Sequence, residues 1–311
     1  MASIYTQLFR DIFEESSKFL IHDFIELKGQ IDNQKNRDDF CIHSYVKVFD
    51  VLMQHLYKIK YNGDVVLPYQ INLTRNNAIQ TTNIIEKSAS MKKIISVPTK
   101  NKEGKIEYAK EKMIEIVDDK TINNPIVKLS NAREEKDVKS RIVIIPIDGF
   151  VSFSRSVNDF AVVLAYQQQD NKDTAFITQQ VVVYLPFSRD IFSFDKMEGF
   201  TCNKNKIADR NVIPTTQIES IFVDNYSKQF SFNLNKLIQI SDVYLSSTSI
   251  FQSLCMLSST TINLLVYHKN DDVLVQNLIE FCIKTASFDM LQLGEHILIG
   301  STKMLEKFRQ K

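Results

Sequence analysis

The residues of this 311-residue chain best suited to chemistry lie in one stretch, 141–156, which reads RIVIIPIDGFVSFSRS. The apolar run 142–145 has the length of a buried strand and is too short for a helix. Pro146 cannot donate to a central ladder, so it predicts the end of that strand. Asp148 then supplies a carboxylate, and Gly149 a backbone free to take positive φ. A strand that stops in a carboxylate-bearing turn can hold a metal ion or a phosphate group. An ordinary strand-turn-strand link uses the same residue types.

At 146–153 the sequence resembles the inositol monophosphatase family, the magnesium-dependent, lithium-sensitive phosphomonoesterases. Their signature is Asp-Pro-Ile-Asp-Gly-Thr followed by a small residue, Asn and Phe. Here the stretch is Ile145-Pro146-Ile147-Asp148-Gly149-Phe150-Val151-Ser152-Phe153. The resemblance continues downstream. Residues 249–258, SIFQSLCMLS, are similar to the family's Ser-Ala-Ala-x-x-Leu-Cys-x-Val-Ala helix, with Thr248 in place of the preceding Gly. Asp271-Asp272 stands where the family has Trp-Asp opening a helix, and a two-residue deletion brings Asp272 onto the metal-ligand position. An Asp at that place also serves as an ordinary helix N-cap.

The resemblance implies a two-metal site, in which two ions about 3.5–4 Å apart share carboxylates and activate a water. Its ligands would be the first Glu of a Gly-Glu-Glu motif, both Asp of the central signature and the Asp of Trp-Asp. In this chain those positions are Tyr69, Ile145, Asp148 and Asp272. A supporting Asp before the second helix falls on Tyr45, and the Thr that helps activate water falls on Phe150. Tyrosine, isoleucine and phenylalanine cannot replace hard anionic oxygen ligands for Mg²⁺. Asp148 and Asp272 remain as remnant ligands for at most a weakly held Mg²⁺, and Gly149 as a remnant of the phosphate cradle. The expectation is a catalytically impaired or inactive relative acting through protein interaction or regulation. The alternative is an active Mg²⁺-dependent phosphomonoesterase that draws carboxylates from Glu103, Glu107, Asp118 or Asp119.

The elements that must position these residues are legible in periodicity. Residues 3–28 read as an amphipathic helix capped by Ser3, ended by Gly29 and the polar run to Asp38. A second helix covers 40–58, and Val65-Val66-Leu67 reads as a short strand. Segment 71–140 is a long insertion, and within it 87–140 has thirteen Lys or Arg against nine Asp or Glu, a local net of +4. Within it, 92–97 and 106–108 flank a Gly-containing loop as a hairpin, and 111–117 reads as a strand or a helix start. The insertion is expected on the rim of the fold. Further strands are expected at 161–166, 175–178, 181–186, around 192–206 and at 218–223, and helices at 233–240, 249–258 and after Asp272. A last strand and a terminal helix close the chain from His296.

The resemblance therefore implies an α/β, layered αβαβα sugar-phosphatase fold. It makes 1–311 a single domain, with an N-terminal half of 1–70 and 141–186, a C-terminal half of 187–311, and the 71–140 insertion. A homodimer is implied by the same resemblance.

Composition sets further bounds. With 38 basic against 37 acidic residues, no global field attracts nucleic acid or an anionic membrane. Only 7 glycines are present, which argues against a phosphate cradle built from backbone N–H groups. Cys41, Cys202, Cys255 and Cys282 are widely spaced, and read as small buried apolar residues in a reducing compartment. The five histidines show no metal-ligand spacing. No apolar run approaches the roughly 18 residues of a membrane span, and the expected location is cytoplasmic.

Overall fold

The structure is a computed structural model that describes residues 2–30, 34–68, 70–74, 77–80, 94–100, 106–112, 114–119, 124–129, 140–170, 175–206, 218–224, 241–259, 263–269 and 272–309. Two long helices come first, α1 (Ala2–Gln30) and α2 (Gln34–Lys58). Strands β1 (Asp64–Val66), β2 (Gln70–Thr74), β3 (Asn77–Gln80), β4 (Ile94–Lys100), β5 (Ile106–Lys112), β6 (Ile114–Asp119) and β7 (Asn124–Leu129) lead to β8 (Ser140–Asp148) and the short helix α3 (Phe150–Ser154). Then come β9 (Ala161–Gln169), β10 (Phe176–Leu185), β11 (Asp190–Asp195), β12 (Gly199–Cys202), β13 (Asn205–Lys206), β14 (Ile218–Asp224) and β15 (Ser241–Ser247). The chain ends with α4 (Ile250–Ser258), β16 (Leu264–His268), α5 (Val273–Thr285), β17 (Asp289–Leu293), β18 (His296–Gly300) and α6 (Thr302–Arg309).

Nine strands form one sheet in the order β13-β12-β11-β10-β9-β8-β1-β7-β6, and five form a second, β15-β14-β16-β18-β17. Strand β8 lies in the middle of the larger sheet, parallel to β1 and antiparallel to β9. Its side chains alternate between two cores, as a pleated strand requires. Ile142 and Ile144 join Phe9, Phe13, Leu20, Phe49 and other residues of α1 and α2 in one cluster. Val143 and Ile145 face Phe251, Leu254, Leu278 and Ile279 of α4 and α5, which also cover Leu265 and Ile299 of the second sheet. The far face of that sheet packs Leu264, Val266 and Leu298 against Met304 and Leu305 of α6. The layers therefore run αβαβα, the architecture the resemblance implies.

Four expectations are corrected. Helix α1 begins at Ala2, so Ser3 stands inside its first turn. Helix α2 begins at Gln34, because Gln, Lys and Arg are good helix formers and the polar run 34–38 continues the helix. Strand β8 runs through Pro146 to Asp148. Proline is tolerated because pairing with β1 ends at Val143, and the register to β9 is irregular between Ile145 and Asp148, a bulge where a missing N–H breaks no ladder bond. The two strands expected at 175–178 and 181–186 are one, β10, with a register shift between Thr178 and Gln180. Its polar residues do not interrupt it because neighbouring strands satisfy them: Gln167 donates to Thr178 Oγ1 at 2.8 Å and Gln180 to Ser193 Oγ at 3.0 Å.

The hairpin expected in the insertion is present as β4 and β5, and 111–112 and 114–117 are strand. Strands β6 and β7 add to the edge of the large sheet, β7 antiparallel to β1. The helix expected at 233–240 and the loop residue Glu103 lie outside the described residues. Cys41, Cys255 and Cys282 are buried and unpaired, as read from sequence.

An aromatic cluster fastens α1 to the loop after β8. Phe153 meets Phe160 edge-on with ring centroids 4.9 Å apart, and Phe24 lies 6.1 Å from Phe153. Phe153 is fully buried. Truncation there leaves a cavity, so Phe153→Ala should cost about 3–5 kcal/mol in urea unfolding, while Met197→Ala at an exposed turn should be neutral.

Candidate functional site

The bulge at Pro146 decides where Asp148 goes. Without it, residues 145 and 147 would share a face; instead Ile145 faces α4 and α5 while Ile147 joins the α1–α2 core. Asp148 is thereby turned toward the second helical layer. Its Oδ2 accepts Ser249 Oγ–H at 2.6 Å and Phe251 N–H at 2.9 Å, which places the carboxylate at the N-terminus of α4. Ser249 is also the N-cap of α4 and accepts from Gln252 N at 3.1 Å.

Gly149 follows with φ 81°, a left-handed conformation that opens α3. Any Cβ there would collide with the Asp159 carbonyl and Ser249 Cβ. This close approach brings in a second carboxylate, Asp159, which accepts from Ser152 Oγ at 3.0 Å and from Thr248 N at 2.6 Å. Thr248 Oγ1 donates to Ser152 Oγ at 2.6 Å. The result is a knot of hydroxyls and two carboxylates that ties the loop after β8 to the start of α4. Sequence reasoning missed Asp159, Ser152 and the part played by Thr248. No local spacing signals them, since the Thr248–Asp159 bond spans 89 residues.

Burial is the largest effect on Asp148 and pushes its carboxyl up from 3.8 to about 7. Hydrogen bonds from Ser249, Phe251 and Gly149 act the other way, and the nearby Asp159 adds to the rise. Asp272 caps its own helix, its Oδ1 accepting from Leu274 N at 2.9 Å and Val275 N at 3.2 Å.

The remaining expected positions are apolar. Ile145 is buried against α4 and α5. Phe150 is buried 6.4 Å, ring to ring, from Tyr45, whose hydroxyl has no hydrogen-bond partner among the described residues and whose ionisation burial drives upward. Tyr69 lies outside the described residues. Two of the insertion carboxylates lie far from β8 across the sheet. By register Val117 pairs Ile126, Ile126 pairs Val66 and Val66 pairs Val143, so Asp118 and Asp119 follow on a strand three places from β8. That is about 14 Å across the sheet, far beyond two ligands of one ion pair. Glu107 belongs to the separate β4–β5 sheet.

These residues do not fit the two Mg²⁺ ions that the resemblance implies. The bridging carboxylate is an isoleucine in a packed core, and Asp148 Oδ2 is already engaged by Ser249 and Phe251. One other group among the described residues, His22, Asp23 and Glu26, brings three potential ligand atoms within 4.8 Å of one another. Asp23 is occupied there by Ser44 Oγ at 2.8 Å and Lys47 Nζ at 3.3 Å, a buried carboxylate joining α1 to α2.

Comparison with solved structures places the fold. The chain is similar to the extragenic suppressor protein suhB from Bartonella henselae, with TM-score 0.60 and 12% identity over 99% of this chain and 98% of that one. It is likewise similar to inositol monophosphatase - II from Staphylococcus aureus MSSA476, with TM-score 0.55 and 10% identity over 99% and 94% of the two chains. No protein-family model matches the sequence, and no curated protein does. The chain has the inositol monophosphatase-like fold. Among the described residues, no helix is long and apolar enough to cross a membrane.

The raised pKa gives a signed prediction. Folded Asp148 keeps its proton to higher pH than the unfolded chain, so between about 3.8 and about 7 the folded state binds more protons and stability falls as pH rises. Above 7 this contribution is constant. Asparagine can accept the same two hydrogen bonds without charge. Asp148→Asn should therefore gain stability over wild type as pH rises from 5 to 8, with a ceiling of about 3 kcal/mol, read from paired urea titrations.

Proposed function

We propose that this chain is a catalytically inactive protein of inositol monophosphatase-like fold that acts through protein interaction or regulation. The observation that carries the reading is Ile145. It stands where the resemblance places the carboxylate that bridges both ions, and it is packed into the core between the large sheet and α4–α5. A charged group there would need water or a partner that this core does not offer. Asp148, the remaining carboxylate of the motif, is used as a structural tie to α4. Phe150 fills the place of the water-activating Thr with an aromatic ring.

The insertion supports the interaction half of the reading. Its described strands β6 and β7 enlarge the sheet, and β6 forms one edge of it among the described residues. An edge strand presents backbone donors and acceptors to which a partner strand can pair.

The deciding measurement is phosphate release from inositol monophosphates in Mg²⁺, with wild type beside Asp148→Ala. Both should give the same background rate. Ile145→Asp alone should restore nothing, because Phe150 and Tyr69 still withhold the water-activating and metal-binding oxygens; elements of such a site act as a unit. Turnover by wild type that disappears in Asp148→Ala would replace this reading with that of a divergent phosphomonoesterase.

A further inference from the structure

The pleat of the second sheet sets two histidines against each other on the face that α6 covers. His268, the last residue of β16, pairs across the ladder with His296, the first of β18. Cross-strand partners share one face of a sheet. Two residues along each strand, Val266 and Leu298 pack in the cluster with Met304 and Leu305 of α6, so the histidines extend the same face. Their rings lie 5.6 Å apart, centroid to centroid, at 70°. His296 is 1% exposed. His268 is half-buried, and its Nδ1 has no hydrogen-bond partner among the described residues. On the other side of His296 the ladder partner is Leu293 of β17, which packs on the α6 cluster.

This pair suits a closed face only while both rings are neutral. A buried imidazolium loses its hydration, and a second one beside it adds repulsion. Burial pushes His296 below the ordinary histidine value of 6.5, and His268 adds to the fall. Glu295, exposed in the turn between β17 and β18, acts the other way and is screened by water. Lys269 follows His268, and its amide donates to the Glu295 carbonyl at 3.0 Å. Asp289 stands at the far end of β17, opposite Gly300, and accepts from Thr302 Oγ1. On α6, Lys303, Glu306 and Arg309 are exposed.

Helix α6 has 8 residues, too few to be stable by itself. It depends on Met304 and Leu305 meeting Leu264, Val266 and Leu298. Whatever opens the sheet beside Val266 and Leu298 therefore loosens α6.

We propose that His268 and His296 form a proton-operated catch, by which acidification opens their end of the second sheet and releases α6 from its apolar face. Below about 6.5 the open form takes up protons that the closed form excludes, so closure weakens as pH falls. The sign is opposite to that of Asp148. The catch does not depend on whether the Asp148 region is catalytic.

The test is hydrogen exchange of the full-length chain at pH 7.5 and 5.5, read by mass spectrometry as protection corrected for intrinsic rates. Protection of 296–309 should fall on acidification, by as much as about tenfold for each histidine. Protection of 142–148 and 161–169 should not fall. His268→Gln, at a half-buried place, should shrink the loss in 296–309. His296→Phe should remove most of it, read only on protein whose thermal melt stays cooperative. His268→Gln keeps the test decisive if His296→Phe fails to fold. Asp148→Asn should leave the loss in 296–309 unchanged. Equal protection of 296–309 at the two pH values, an equal fall across the whole chain, or a fall kept in full by His268→Gln overturns the proposal.

Discussion

Burial of β8 on both faces is the constraint from which most of this molecule follows. A strand with a helical layer on each side cannot alternate apolar with polar, so 142–145 is apolar throughout. The same constraint bears on chemistry. A carboxylate at 145 would have to face the packed surfaces of Phe251, Leu254 and Ile279, and could stand there only if metal ions or other charges met it. With isoleucine at that place, the space between the layers closes as ordinary core. The loss of a ligand and the gain of packing are one change.

The turn after β8 then serves a mechanical purpose. A bulge at Pro146 rotates Asp148 toward α4, and a left-handed Gly149 lets the chain pass close to Asp159 and Ser249. The amide and hydroxyl at the start of α4 are groups that need acceptors, since the first N–H groups of any helix lack partners within it. Asp148 satisfies them across 101 residues of sequence. Asp159 does the same for Thr248. Two carboxylates in one knot have an electrostatic consequence, and Asp148 holds its proton into the neutral range because of burial first and its neighbour after.

A sheet of this kind has two ends, and the chain treats them differently. At the Asp148 end the polar groups are consumed by one another. At the Arg141 end a guanidinium, an amide and a hydroxyl are ordered in series along the wall of an open cleft. The contrast comes from the helices: α4 meets its end of the sheet with its own N-terminus, which supplies donors, whereas α5 passes the other end with Phe281 and Lys284.

Much of the architecture was legible in the residues because the signals are local. Continuous apolarity marked β8, helical periodicity marked α1, α2 and α5, the family resemblance marked α4, and Asp272 was readable as an N-cap because the donors it serves lie two and three residues away. The motif around Pro146, Asp148 and Gly149 was also enough to anticipate the αβαβα layers. The partner of Asp148 was not legible. A period-two reading has no way to register a bulge that shifts one residue to the other face, and the bonds to Ser249 and Phe251 join distant parts of the chain. Asp159 was invisible for the same reason. So was the entry of β6 and β7 into the sheet, which depends on β1 having a free side. Local chemistry determined which groups each segment offers; only tertiary packing decided which of them meet, and that Asp148 meets a helix end.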